Sequence, residues 1–105
     1  MAINMTNEQQ ELAENAQQVA TILKQLSNPN RLMILCCITD GELTVSDLNQ
    51  KVALSQSALS QHLAKLREHN IVETRRESQA IYYRVVDPKI KLLLGVLQEQ
   101  FCSGH

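Results

Sequence analysis

The 105-residue sequence has no Trp, and its aromatic side chains are Tyr82, Tyr83 and Phe101. So sparse a set argues against a module that reads single-stranded nucleic acid by stacking bases on exposed rings. Glycine is equally scarce, with three in the chain, and no Gly-rich phosphate loop and no Cys-x-x-Cys motif is found. Without these or a carboxylate pair, an enzyme is not expected. Thiol peroxidase or reductase turnover through Cys36 is the enzymatic alternative. No apolar run approaches the roughly 20 residues of a membrane helix, so no membrane partner is expected. The opening MAINMTNEQQ has neither a basic n-region nor an apolar h-region, so a signal peptide is not expected. Three Cys without an export signal do not suggest a disulfide scaffold, and the expected compartment is a reducing cytosol. Those cysteines are either small apolar filling or chemistry.

Apolar residues make up 44% of the chain and charged ones 20%, an ordinary soluble balance, and the length suggests one domain over 1–105. The net charge of −1 hides a gradient. Up to residue 54, Lys24, Arg31 and Lys51 face six acidic residues. Over 55–84, Lys65, Arg67, Arg75, Arg76 and Arg84 outnumber Glu68, Glu73 and Glu77. Such asymmetry is a better sign of an anionic partner than the total is.

The apolar residues Leu12, Ala16, Val19, Ala20, Leu23 and Leu26 recur at helical spacing, predicting an amphipathic first helix from about Thr6 to Leu26. Asn28-Pro29 is an N-cap and first-turn pair. It opens RLMILCCI, apolar almost all round and expected to be a central buried helix. Asp40-Gly41 is expected to end it, with the glycine left-handed. Thr44-Val-Ser-Asp47 reads as a capping box for a short third helix with Leu48 and Val52 inward. After Ala53-Leu54-Ser55, Ser55 caps a fourth helix with Leu59, Leu63 and Leu66 inward and Asn70 closing it in the left-handed conformation. The period then changes. Residues 71–76 and 81–86 read as a β-hairpin joined by Glu77-Ser-Gln-Ala80. Asp87-Pro88 opens a last helix carrying Ile90, Leu93, Leu94, Leu97 and Phe101.

Two helices joined by a short turn, the second with a polar outer face, are a helix-turn-helix, whose second helix can enter the major groove. The fold expected is therefore mainly α with a β-hairpin wing: a winged helix-turn-helix. Gln56, Ser57, Ser60 and Gln61 would meet base edges, since Gln can bond adenine twice and Ser bonds base or phosphate. Ser55 and the first-turn N–H groups offer a phosphate site. His62 lies on the same helix, Lys65 and Arg67 approach the backbone further along, and Arg75, Arg76 and Arg84 of the hairpin hold flanking phosphates. A winged-helix protein-interaction module without DNA is the alternative from another class.

Leu26-Ser-Asn-Pro-Asn-Arg-Leu32, Glu42-Leu-Thr-Val-Ser-Asp-Leu48, Leu54-Ser-Gln-Ser-Ala-Leu-Ser-Gln-His-Leu63, Ile71-Val72, Arg75-Arg76 and Tyr83 together resemble the ArsR family of winged-helix repressors. The resemblance implies a homodimer joined by its first and last helices, bound to an inverted repeat in double-stranded DNA and released by an inducer. At the tip of the wing, Ser78 and Gln79 replace the family's usual glycine. Thr44 and Ser46 stand where one family metal site has cysteines, and hydroxyls suit soft metals poorly. Asp87-Pro-Lys89 stands where another has Asp-x-His. No metal and no cofactor is therefore expected, although a non-standard metal site, such as zinc or copper on Cys36, Cys102 and His105, is an alternative. Cys36 and Cys102 are similar in placement to the thiols of the family's sulfide- and persulfide-responsive branch. That implies a redox-sensing pair with a reactive sulfur species or an oxidant as inducer. Cys37 points about 100° away from Cys36 and reads as packing.

Overall fold

A computed structural model describes residues 4–102. The element order is α1 (Asn7–Leu26), α2 (Pro29–Ile38), β1 (Leu43–Thr44), α3 (Val45–Lys51), α4 (Gln56–Glu68), β2 (Glu73–Glu77), β3 (Ala80–Arg84) and α5 (Pro88–Phe101). This is the winged helix-turn-helix order that the sequence predicts.

Each helix begins where a side chain can accept from its leading N–H groups, four donors that otherwise lack partners. Thr6 and Gln9 form a capping box on α1. Asn28 accepts from the N–H groups of Asn30 and Arg31 at 2.9 and 3.1 Å. Thr44 and Asp47 cap α3 reciprocally, Ser55 accepts from Ala58 at 3.1 Å, and Asp87 accepts from Lys89 at 2.8 Å. Asn70 closes α4 at φ 59, while the N–H of Ile71 returns to the carbonyl of Leu66 at 2.9 Å.

One core joins these elements. Ile34, Leu35 and Ile38 of α2 meet Leu48 of α3, Leu59, Leu63 and Leu66 of α4, Ile71 and Val72 before the wing, Val85 after it, and Ile90 and Leu94 of α5. The sheet is antiparallel in the order β1-β3-β2, with Leu43 opposite Tyr83 and Arg75 opposite Tyr82.

Four expectations need correction. Gly41 is not left-handed; α2 ends at Thr39 in ordinary helical conformation, its hydroxyl donating to the carbonyl of Leu35 at 2.7 Å. A short third strand, β1, lies ahead of α3. The hairpin is paired through Glu77 and Ala80, so its tip is only Ser78-Gln79, with Ser78 at φ 56. Nor is α2 buried all round: Met33 is 56% exposed, and Cys36 and Cys37 are half-buried. On α1 the apolar stripe is largely uncovered up to Leu23, and the core contact is made by Leu26 at its end and by Ile22, with Gln25 buried beside them. No helix among the described residues is long and apolar enough to cross a membrane.

Candidate nucleic-acid interface

The turn between α3 and α4 is held from inside. The N–H of Leu54 donates to the carbonyl of Val52 at 3.0 Å, and Nδ2 of Asn49 donates to the carbonyl of Leu54 at 2.7 Å. Leu48 below and Leu59, Leu63 and Leu66 above fix α4 against α2 and α3 by fully buried apolar side chains. The opposite side of α4 is thereby left outward: Gln56, Ser57, Ser60, Gln61, Lys65 and Arg67 are exposed, and His62 is half-buried. Ser55 is exposed too, with its hydroxyl oxygen accepting from Ala58. The polar donors expected on one surface are together on one surface.

The wing divides its arginines. In the strand register Arg75 and Arg84 share a sheet face with Tyr82, and Arg76 projects from the other face with Thr74 and Ile81. Arg75 is committed. Its Nε donates to Glu42 at 2.8 Å, a terminal nitrogen makes a second bond to the same carboxylate, and Nη1 reaches Glu77 at 3.1 Å. The guanidinium also lies over the Tyr82 ring, 4.8 Å from its centroid. The hydrogen bond from Arg75 is the main reason the Glu42 carboxyl lies below its ordinary range, and Glu42 in turn raises Arg75. Arg84 approaches Glu73 at 3.9 Å, and its Nε is buried without a partner. Arg76 is exposed and makes no ion pair among the described residues.

The thiols occupy a different region. Cys36 and Cys37 pack beside the core on α2, and Cys102 caps α5 and is exposed. Gln98 links these helices: its Nε2 donates to the carbonyl of Cys36 at 3.4 Å, and its own carbonyl accepts from the N–H of Cys102 at 3.0 Å. Cys102 is thus one helical turn beyond the residue that touches Cys36. Burial raises the Cys37 thiol, Lys51 partly opposes this, and Cys36 adds to it. A raised thiol stays protonated at neutral pH and is a poor nucleophile.

Among the described residues no three His, Cys, Asp or Glu side chains gather as metal ligands. His105, of the alternative metal set, lies outside the described residues. The Thr44 hydroxyl and the Asp87 carboxylate both serve as helix caps. Sequence reasoning missed Glu42, Asn49 and Gln98. The first and last find partners 33 and 62 residues away, with no local signal. Asn49 was the legible one, a short polar side chain five residues before the carbonyl it caps.

A family model, bacterial regulatory protein, arsR family, matches residues 28–74. The chain is 40% identical over 96 residues to the transcriptional activator HlyU of Vibrio cholerae, an alignment covering 91% of this chain and 89% of that protein. It is 43% identical over 100 residues to the biofilm growth-associated repressor of Xylella fastidiosa, covering 95% and 86%. Reduced HlyU of Vibrio cholerae superposes with a TM-score of 0.83, at 40% identity, over 90% of this chain and 99% of that one. The transcriptional repressor BigR of Xylella fastidiosa does so with 0.82, at 43% identity, over 95% and 100%. The homodimeric winged helix-turn-helix domain of Mb0332 from Mycobacterium bovis gives 0.73, at 28% identity, over 100% and 97%. With its turn, outward polar helix and wing matched in both sequence and structure, the chain belongs to the arsR family of bacterial regulatory proteins and is a DNA-binding transcriptional regulator, not an enzyme.

Proposed function

We propose that this protein is a homodimeric repressor in the cytosol that holds an inverted repeat in duplex DNA and lets go when Cys36 and Cys102 are covalently joined. The observation that carries the reading is Gln98, which ties α5 to the backbone of Cys36 one turn before Cys102. The chemistry is thiol exchange. An oxidant takes two electrons and two protons from the pair to leave a disulfide. A persulfide donor transfers its outer sulfur to one thiolate, giving Cys–S–SH and a released thiol. The second thiolate then attacks the inner sulfur, forms the disulfide and expels sulfide. A direct disulfide needs Cα atoms within roughly 7 Å, while retained sulfur atoms relax that reach. Because α2 packs against both α4 and α5, closing the bridge shifts the recognition helix relative to the dimer. Two half-sites about one DNA turn apart can then no longer be held together.

The wing and α4 supply the contacts: Gln56, Ser57, Ser60 and Gln61 to bases, with Ser55, His62, Lys65, Arg67 and Arg76 beside the backbone. Arg75 and Arg84 support the wing and flank it. The likeness to reduced HlyU and to the homodimeric Mb0332 domain supports the redox and dimer parts of this reading. The test is duplex affinity before and after treatment with an organic persulfide, with mass spectrometry of the thiols. Cys36→Ser and Cys102→Ser chains should stay bound, and Cys37→Ser should release like the parent. Release by both Cys36→Ser and Cys102→Ser would overturn the two-thiol switch.

A further inference from the structure

A cleft of about 400 Å³ separates the second half of α1, the start of α2 and the trailing end of α4. Its walls carry Lys24, Arg31, Lys65 and His69, and none of its lining residues is acidic. This is notable in a chain of net charge −1. Of the three basic residues that precede residue 55, two line this one cleft. Among the described residues neither Lys24 nor Lys65 makes an ion pair. The Nε of Arg31 donates to the backbone carbonyl of Gln25 at 3.0 Å, which anchors the guanidinium while leaving its terminal nitrogens for another acceptor. The floor is polar as well. Gln25 is 3% exposed, and its side-chain oxygen is buried with no hydrogen-bond partner, a costly state unless a ligand relieves it.

Cations on the walls call for acceptor oxygens, and the orphaned amide oxygen of Gln25, a residue of the lining, calls for a donor that a turn of its side chain toward the cleft would bring within reach. A phosphate that retains one proton offers both, whereas sulfate and a DNA phosphodiester are fully deprotonated. We propose that this cleft is a binding site for inorganic phosphate, which keeps one proton at neutral pH where a monoester has largely lost it, held by Lys24, Arg31, Lys65 and His69 with its O–H toward Gln25. The cleft is of a size for a small metabolite. By helical spacing Thr21 and Lys24 stand about 100° or more around α1 from the exposed Leu12 and Leu23, so these two polar lining residues lie off the apolar stripe, which meets the cleft at Ala20. An occupant would join the recognition helix to α1 and α2, giving the regulator a second input separate from its thiols.

The test titrates the reduced full chain with inorganic phosphate, chloride being exchanged to hold ionic strength constant, and follows the Gln25 side-chain amide and the His69 ring by NMR. Both should move saturably with a dissociation constant of about 1 mM. Sulfate should bind at least about fivefold more weakly, and Lys24→Gln, an exposed helical position, should weaken phosphate by about the same factor. Equal binding of sulfate, a non-saturable response, or an unchanged constant in Lys24→Gln would overturn the proposal. A second arm measures the salt dependence of binding to a duplex of arbitrary sequence. The slope should be the same for Lys24→Gln and the parent. A fall of about 0.9 would show that the cleft seats a backbone phosphate of DNA, and would overturn it too.

Discussion

Arg75 and Arg76 adjoin in the chain yet point to opposite sides of the sheet, and this separates a structural arginine from a free one. Arg75 is shared among Glu42, Glu77 and the Tyr82 ring, so its charge is already answered within the protein. Arg76 has no such partner among the described residues, and under the proposed function it is the one left to meet phosphate. Arg76→Ala should therefore reduce the salt slope of duplex binding by about 0.9, the release expected for one phosphate contact, whereas Arg75→Ala should leave the slope within error. Equal effects of the two would show that Arg75 leaves Glu42 when DNA arrives. The ion pair also has a pH signature. The Glu42 carboxyl is held low, so the pair is complete at neutral pH and through the ordinary carboxylate range, and is lost only as pH falls through the depressed value. An NMR titration of Glu42 should find its midpoint below that of an unperturbed Glu, and Arg75→Ala should bring it back up. The sequence displays both arginines as equally available. Only the pairing of a strand with a carboxylate 33 residues away distinguishes them.

At the scale of elements, the helices were legible because their start signals are local. Asn28-Pro29, Thr44 with Asp47, Ser55 and Asp87-Pro88 each satisfy N–H groups two or three residues on. What was not legible depends on distant partners. β1 is two residues long and exists because β3 offers it an edge, with Thr44 serving as both strand residue and helix cap. A two-residue strand carries no period to read. The tip of the wing follows the same logic. Pairing runs through Glu77 and Ala80, so two residues must reverse the chain, and Ser78 takes a positive φ where glycine is at ease. A non-glycine residue there costs about 1–2 kcal/mol, against roughly 0.5–1 kcal/mol of extra unfolded-state freedom for glycine. Ser78→Gly should thus gain about 0.5 kcal/mol, or roughly 2–4 °C in thermal melting for a chain of this size, and Ser78→Val should lose stability. If Ser78→Gly melts lower than the parent, the tip is not strained in the way its backbone angle implies.

For the whole molecule, the question is what covers the apolar surface the core does not use. On α1 Leu12 is 59% exposed and Leu23, about three turns further along the same side, is exposed too; on α5 Leu92 is 71% exposed, with Val96 one turn on. The two helices are neighbours, since Leu12 and Val19 line the same groove as Asp87 and Lys89 at the start of α5. Their stripes can therefore make one continuous patch, and patches of this kind mark interfaces. A second copy presenting the same patch by two-fold symmetry would cover both. The first helix, read from about Thr6 to Leu26, and the last, opened by Asp87-Pro88, both show amphipathic patterns in the sequence, but the pattern alone could not divide their apolar residues between partner and core; Leu26, at the end of the stripe, and Ile22, outside it, turn out to be the core contacts. Leu92→Glu places a charge on the exposed apolar side of α5, at a residue 71% exposed, and should leave the helical circular dichroism unchanged while sedimentation shows a monomer. Because a dimer joins two recognition helices and gains affinity from simultaneous engagement, the monomer should bind an inverted repeat at least about a hundredfold more weakly. Binding to an isolated half-site should change little. A Leu92→Glu chain that still sediments as a dimer would move the interface elsewhere. It would also remove the route by which a bridge between α2 and α5 disturbs the spacing of the two recognition helices, leaving a tilt of α4 within each protomer as the way such a bridge could release DNA.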